Sequence, residues 1–183
     1  MKKIIWISLF LGFFAGLPAY AETNESKKTL EPIIAMNNDK LGALVQRFDP
    51  AAKGKPGFWH MTYEGVSVYV ITDEEANRMR IVVEIADAGQ LEKEHLYRLM
   101  QANFDSALDA RYAIAQNSVW STFIHPLGSL SEYDFFSGVA QVITLAKTFG
   151  SSFSSGALIF NGGDSRQEQQ KLYEKLLQKG LAV

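Results

Sequence analysis

Phe135, Val139, Val142, Ala146 and Phe149 follow one another at spacings of four, three, four and three, which marks one face of a helix over 131–149. Phe136 and Ile143 widen that face, so the pattern predicts a helix that covers a sheet rather than lying at the surface. Its ends are marked chemically. Ser131 can cap the free N–H groups of the first turn, Asp134 suits the positive end of the helix dipole, and Leu130 with Phe135 has hydrophobic-staple spacing. Gly150 stands where a left-handed terminating residue is usually needed.

Upstream, Leu41, Leu44, Val45 and Phe48 form an i, i+3, i+4, i+7 stripe behind Asp39, which predicts a capped helix over 40–48. Asp49-Pro50 stops it, and 51–57 reads as a loop by its glycines and prolines. The period then changes to two, which predicts three strands. In 58–63, Trp59, Met61 and Tyr63 oppose Phe58, His60 and Thr62. In 66–72, Val66, Val68 and Val70 oppose Tyr69 and Ile71. In 78–86, Met79, Ile81, Val83 and Ile85 oppose Arg78, Arg80 and Glu84. An antiparallel meander with one buried face follows.

A helix is expected over 91–104, with Leu96, Leu99, Met100 and Asn103 on one stripe. Strands over 111–116 and 119–125 flank an Asn117-Ser118 turn. Beyond the 131–149 helix, 150–156 reads as a loop and 157–160 as a short strand. Asp164 and Gln167 have capping-box spacing for a last helix carrying Leu172, Tyr173, Leu176 and Leu177, ended by Gly180. The fold class is α+β: an antiparallel sheet packed by helices in the order α-β-β-β-α-β-β-α, with an extra C-terminal β-α tail.

Residues 1–21 have the three parts of a secretory signal peptide: Lys2-Lys3, an apolar core over 4–17, and Ala19-Tyr20-Ala21 before a cleavage site. A core of fourteen residues falls short of the ~20 that cross a hydrocarbon core. The expected organisation is a signal peptide (1–21), a flexible leader (22–38) and one α+β domain (39–183), itself a core (39–149) with an extension (150–183). The expected location is periplasmic or secreted, with no stable membrane insertion after cleavage.

Charge and composition narrow the chemistry. Removing Lys2 and Lys3 takes the formal charge from −2 to −4 and argues against nucleic acid, which needs clustered cations. With no cysteine, an exported chain must be held by apolar packing alone. His60, His95 and His125 lie on different elements without metal-ligand spacing, and no G-x-S-x-G elbow or Walker loop occurs. The carboxylates read as caps and solvated faces rather than as an acid–base pair. No enzyme activity, cofactor or metal is therefore expected.

From Leu96 to Phe149 the chain reads LYRLMQANFDSALDARYAIAQNSVWSTFIHPLGSLSEYDFFSGVAQVITLAKTF. A helix ending in Leu99-Met100-Gln101-Ala102-Asn103, a strand pair, a Leu-Ser-Glu cap and a long closing helix resemble the type III secretion chaperone-like fold of the Tir-type chaperones. The first helix and the three-strand meander agree in order, so the resemblance covers 41–149. It implies a compact α+β domain, usually a homodimer, that holds an extended segment of another protein without ATP or cofactor. The export signal and the 150–183 tail set this chain apart from that family's basic pattern.

These readings converge on an exported, non-enzymatic protein- or peptide-binding module. Phe58, Tyr69 and Ile71, with Val82 alongside, are the expected partner-binding residues, because they lie on the sheet face that the strand pattern turns away from the helices. The competing use of that face is as a seat for the last helix, whose leucines also need a partner surface. The alternative function is a periplasmic hydrolase with a site assembled from separated histidine and carboxylate residues.

Overall fold

The computed structural model describes residues 35–155 and 167–182. The signal peptide, the leader as far as residue 34, the strand expected at 157–160 and the cap at Asp164 lie outside the described residues.

Helix α1 (Asn38–Phe48) buries Leu41, Leu44, Val45 and Phe48, the stripe that its period predicts. Its cap is Asn37 rather than Asp39: the extended backbone at Asn37 lets the side chain accept from the Lys40 N–H at 3.0 Å. Asp39 falls instead in the first turn, where its charge suits the dipole. Part of the segment expected as a loop is a short strand, β1 (Lys53–Lys55). It forms because its backbone pairs with the next strand, a contact that composition alone does not reveal. Gly54 permits that approach, since a Cβ there would lie 2.3 Å from the Phe58 carbonyl oxygen.

The meander follows as β2 (Phe58–Tyr63), β3 (Val66–Asp73) and β4 (Arg78–Asp87). Trp59, Met61, Tyr63, Val68, Val70, Met79, Ile81 and Val83 are all buried, so one face of the meander is core. After a short 3-10 turn at Ala88–Gln90, α2 (Lys93–Asp105) starts two residues later than expected. Strands β5 (Arg111–Ala115) and β6 (Ser118–His125) meet at a tight turn. That turn is Gln116-Asn117, both left-handed (φ 51° and 60°), one residue earlier than the pattern suggests. Among the described residues the sheet has six strands in the order β1-β2-β3-β4-β6-β5, antiparallel at every pairing. The α+β class stands, with β1 added to the expected order.

Helix α3 (Glu132–Thr148) lies across β4 and β6. Ser131 accepts from the Asp134 N–H at 3.0 Å and Asp134 reaches back to the Ser131 N–H at 3.3 Å, a reciprocal cap. Every residue from Phe135 to Leu145 is buried, which one face against a sheet cannot produce. The other side is covered by α4 (Gln167–Leu181), which packs on α3 and touches α1. Tyr173 and Leu176 are its buried anchors. The Tyr173 hydroxyl meets Ser137 Oγ at 2.9 Å. Gln141 Nε2 donates to the same Ser137 at 3.1 Å, while its Oε1 accepts from the Asp109 and Ala110 N–H groups at 2.8 and 2.9 Å. These bonds satisfy polar groups that burial would otherwise penalise, and they fix the entry to β5. Gly180 does not end α4, which continues to Leu181; the glycine is there for close approach to α3.

Candidate partner-binding face

Because α4 stacks on the helical layer, the opposite face of the sheet carries none of the described helices. The competing use of that face, as a seat for the last helix, is not the one α4 takes. The helix that carries Tyr173 and Leu176 packs on α3 and α1 instead.

The registers bring the four expected residues together. Phe58 stands opposite Ile71, and Tyr69 stands between His60 on β2 and Val82 on β4. Phe58 and Ile71 are 44% and 37% exposed, whereas Tyr69 and Val82 are half-buried. The Tyr69 ring stacks on His60 at 5.0 Å and tilts toward Phe58 at 5.9 Å, so the aromatic group is braced by its own cross-strand neighbours. Strand reading alone did not include Ile124, which the β4–β6 register places beside Arg80 on this same face, 57% exposed. Its alternation within β6, opposite in phase to Val119 and Phe123, was the available signal.

At one end the sheet opens. The β3–β4 ladder runs from Asp73–Arg78 to Tyr69–Val82 and stops, and the β4–β6 register shifts between Glu84 and Ala86. A recess of about 430 Å³ lies there, lined by Ser67, Tyr69, Glu84 and Lys147 among others. A smaller groove of about 240 Å³ runs beside Ile71 between Arg78 and Arg80.

A second apolar surface differs from expectation. The stripe assigned to α2 is only partly core: Leu99 is buried, but Leu96 is 38% and Met100 68% exposed. Tyr97, Phe104 and Ile114 are exposed as well. Helix α2 packs beside β5 at the sheet edge, where a recess of about 330 Å³ is lined by Leu96, Leu99, Met100, Tyr112 and Ile114. The period is helical as expected, but no described strand lies over its outer half.

The histidines stay apart. His60 lies on the open face, His95 accepts from the Glu92 N–H at 3.3 Å at the start of α2, and His125 donates to the Pro126 carbonyl at 2.8 Å. Among the described residues no histidine pairs with a carboxylate, and no cluster of three or more His, Cys, Asp and Glu could hold a metal ion. No described helix is long and apolar enough to cross a membrane.

No family model and no curated protein matches the chain. Among solved structures, it is similar to one in the ExsC–ExsE complex, with 15% identity over 62% of this chain and 97% of that one, at a TM-score of 0.46. It is also similar to one in the HopA1–SchA chaperone–effector complex, with 11% identity over 61% and 94%, at a TM-score of 0.47. A third is in the structure of the Yersinia pestis type III secretion chaperone SycH with a fragment of YscM2, with 16% identity over 59% and 98%, at a TM-score of 0.45. All three scores lie below 0.5, too low to establish a family. The chain's own strands, registers and helices carry the fold class.

Proposed function

We propose that this chain is an exported, non-enzymatic module that holds an extended segment of another protein on the open face of its sheet, through Phe58, Tyr69, Ile71 and Val82. The observation that carries this reading is the position of α4, which packs on the helical layer and leaves Phe58 and Ile71 exposed side by side. Adjacent apolar side chains held rigidly on a sheet give an extended chain alternate points of contact at little ordering cost to the binder. The export signal in residues 1–21 supports a periplasmic or secreted location. The exposed side chains of α2 and β5 support a homodimer, in which a second copy covers Met100 and Phe104. The hydrolase reading requires a histidine and a carboxylate in one pocket, and no observation on the described residues favours it.

The test compares the chain with a Tyr69→Ser, Ile71→Ser variant as baits in a periplasmic extract, with retained proteins identified by mass spectrometry. The reading expects a partner held by the native chain and lost by the variant, at an unchanged melting temperature. A steep fall in melting temperature would show that these side chains are core, and a native chain that holds nothing sinks the proposal.

A further inference from the structure

The open face is not only apolar. Opposite residues of antiparallel strands share a face, so the registers place Lys53, Lys55, Arg78, Arg80 and Arg111 on it, against the three carboxylates Asp73, Glu84 and Asp87. All five cations are exposed, in a chain whose formal net charge is −2. Lys53, Lys55, Arg78 and Arg80 make no ion pair with a described residue. Cations concentrated on one face of an acidic protein leave a local positive potential that nothing in the fold itself uses.

One row across the strands shows what that potential fits. The registers align Lys55, Phe58, Ile71, Arg80 and Ile124 on β1, β2, β3, β4 and β6. With strands about 4.8 Å apart, Lys55 and Arg80 are about 14 Å apart and Ile124 lies about 19 Å from Lys55. An extended chain advances about 6.8 Å for every two residues, and every second side chain faces the same way. Laid along this row, a segment with acidic residues four apart meets Lys55 and Arg80. Its intervening inward residue falls between Phe58 and Ile71, and the next inward residue beyond the second acid reaches Ile124.

We infer that the open face selects extended segments of the pattern acidic-x-apolar-x-acidic-x-apolar, with Lys55 and Arg80 reading the two carboxylates. This rests on the binding role proposed above for the same face and adds the chemistry of the partner. Nucleic acid is the less fitting anion, because the two cations that read the segment are separated by apolar side chains rather than clustered along a phosphate track.

The experiment uses the processed chain as purified from the cell, with fluorescein-labelled heptapeptides Glu-Ser-Leu-Ser-Glu-Ser-Leu and counterparts carrying Gln or Lys in place of Glu. Binding is followed by fluorescence anisotropy. The acidic peptide should bind about tenfold more tightly than the Gln peptide, as two exposed ion pairs allow, and the Lys peptide more weakly still. The preference should shrink between about 50 mM and about 500 mM salt as the charges are screened. A Lys55→Gln, Arg80→Gln variant should lose the preference while keeping its affinity for the Gln peptide and its melting temperature. Equal binding of the Glu and Gln peptides overturns the charge selection and leaves the apolar face standing; binding of no peptide overturns both. A preference that survives in the double variant overturns the assignment to Lys55 and Arg80. Displacement of the acidic peptide by a single-stranded oligonucleotide shows a general anion site and overturns the peptide pattern.

Discussion

Gly180 of α4 lies so close to the ring of Phe136 on α3 that a Cβ there would sit 2.1 Å from the ring's Cδ1. Phe136 cannot swing aside, because it is fully buried, stacked on Phe48 at 6.3 Å and edge-on to Phe135 at 5.1 Å. Gly180→Ala gains about 1 kcal/mol of helix propensity but incurs about 1–3 kcal/mol of overpacking. Overpacking offsets the propensity gain, and a net loss of up to about 2 kcal/mol should appear in the urea midpoint. A midpoint that rises contradicts this close packing of α4.

Phe135 is fully buried, one residue past the reciprocal cap of α3. Phe135→Ala should cost about 3–5 kcal/mol, the usual range for deleting a buried aromatic. Lys147→Ala on the same helix removes an exposed ion pair to Glu64 and a contact over the Tyr63 ring, and should cost no more than about 1 kcal/mol. Equal denaturant midpoints for the two variants would contradict the burial of Phe135.

Glu64, in the β2–β3 turn, joins Lys147 of α3 and Lys175 of α4. The two ammonium groups hold its carboxyl well below the ordinary 4.5, at about 2. A carboxyl whose folded value is depressed stabilises fully above its unfolded value and loses that contribution as pH falls through the folded one. Glu64→Gln should therefore lower the melting temperature at pH 7, and the gap to the native chain should close between pH 4.5 and about 2. A gap that stays constant over that window would show that Glu64 does not act as a carboxylate.

Met100 and Phe104 are 68% and 88% exposed on α2. If a second copy covers them, a Met100→Glu, Phe104→Glu variant should run as a monomer in sedimentation equilibrium, with an unchanged circular dichroism spectrum, where the native chain runs as a dimer. A monomeric native chain refutes this assembly.

Export is checked at the other end of the chain. N-terminal sequencing of protein from an osmotic-shock fraction should begin at Glu22, after Ala19-Tyr20-Ala21. Recovery of the intact chain from cytosol alone contradicts the location.

The sequence by itself determined what depends on near neighbours along the chain. The period of two set the inward residues of β2, β3 and β4, and the period of 3.6 set the buried stripe of α1. Ser131 with Asp134 and Gly150, a left-handed residue at φ 77°, bounded α3, because capping is chemistry within a few residues. Phe58, Tyr69, Ile71 and Val82 could be assigned to one face for the same reason. Tertiary structure decided whatever needed a distant partner. β1 exists only through its pairing with β2, so 51–57 carried no strand pattern of its own. The exposure of Met100 depended on no described strand lying over the outer half of α2, and Gly180 looked like a helix end until Phe136 stood beside it. The row from Lys55 to Ile124 belongs to register, since hydrogen bonding between strands aligns residues that lie 69 positions apart in the chain. Where α4 packs was likewise a tertiary matter: its apolar stripe demanded a surface, and the α3 and α1 side of the sheet offers one that fits a glycine against a buried ring.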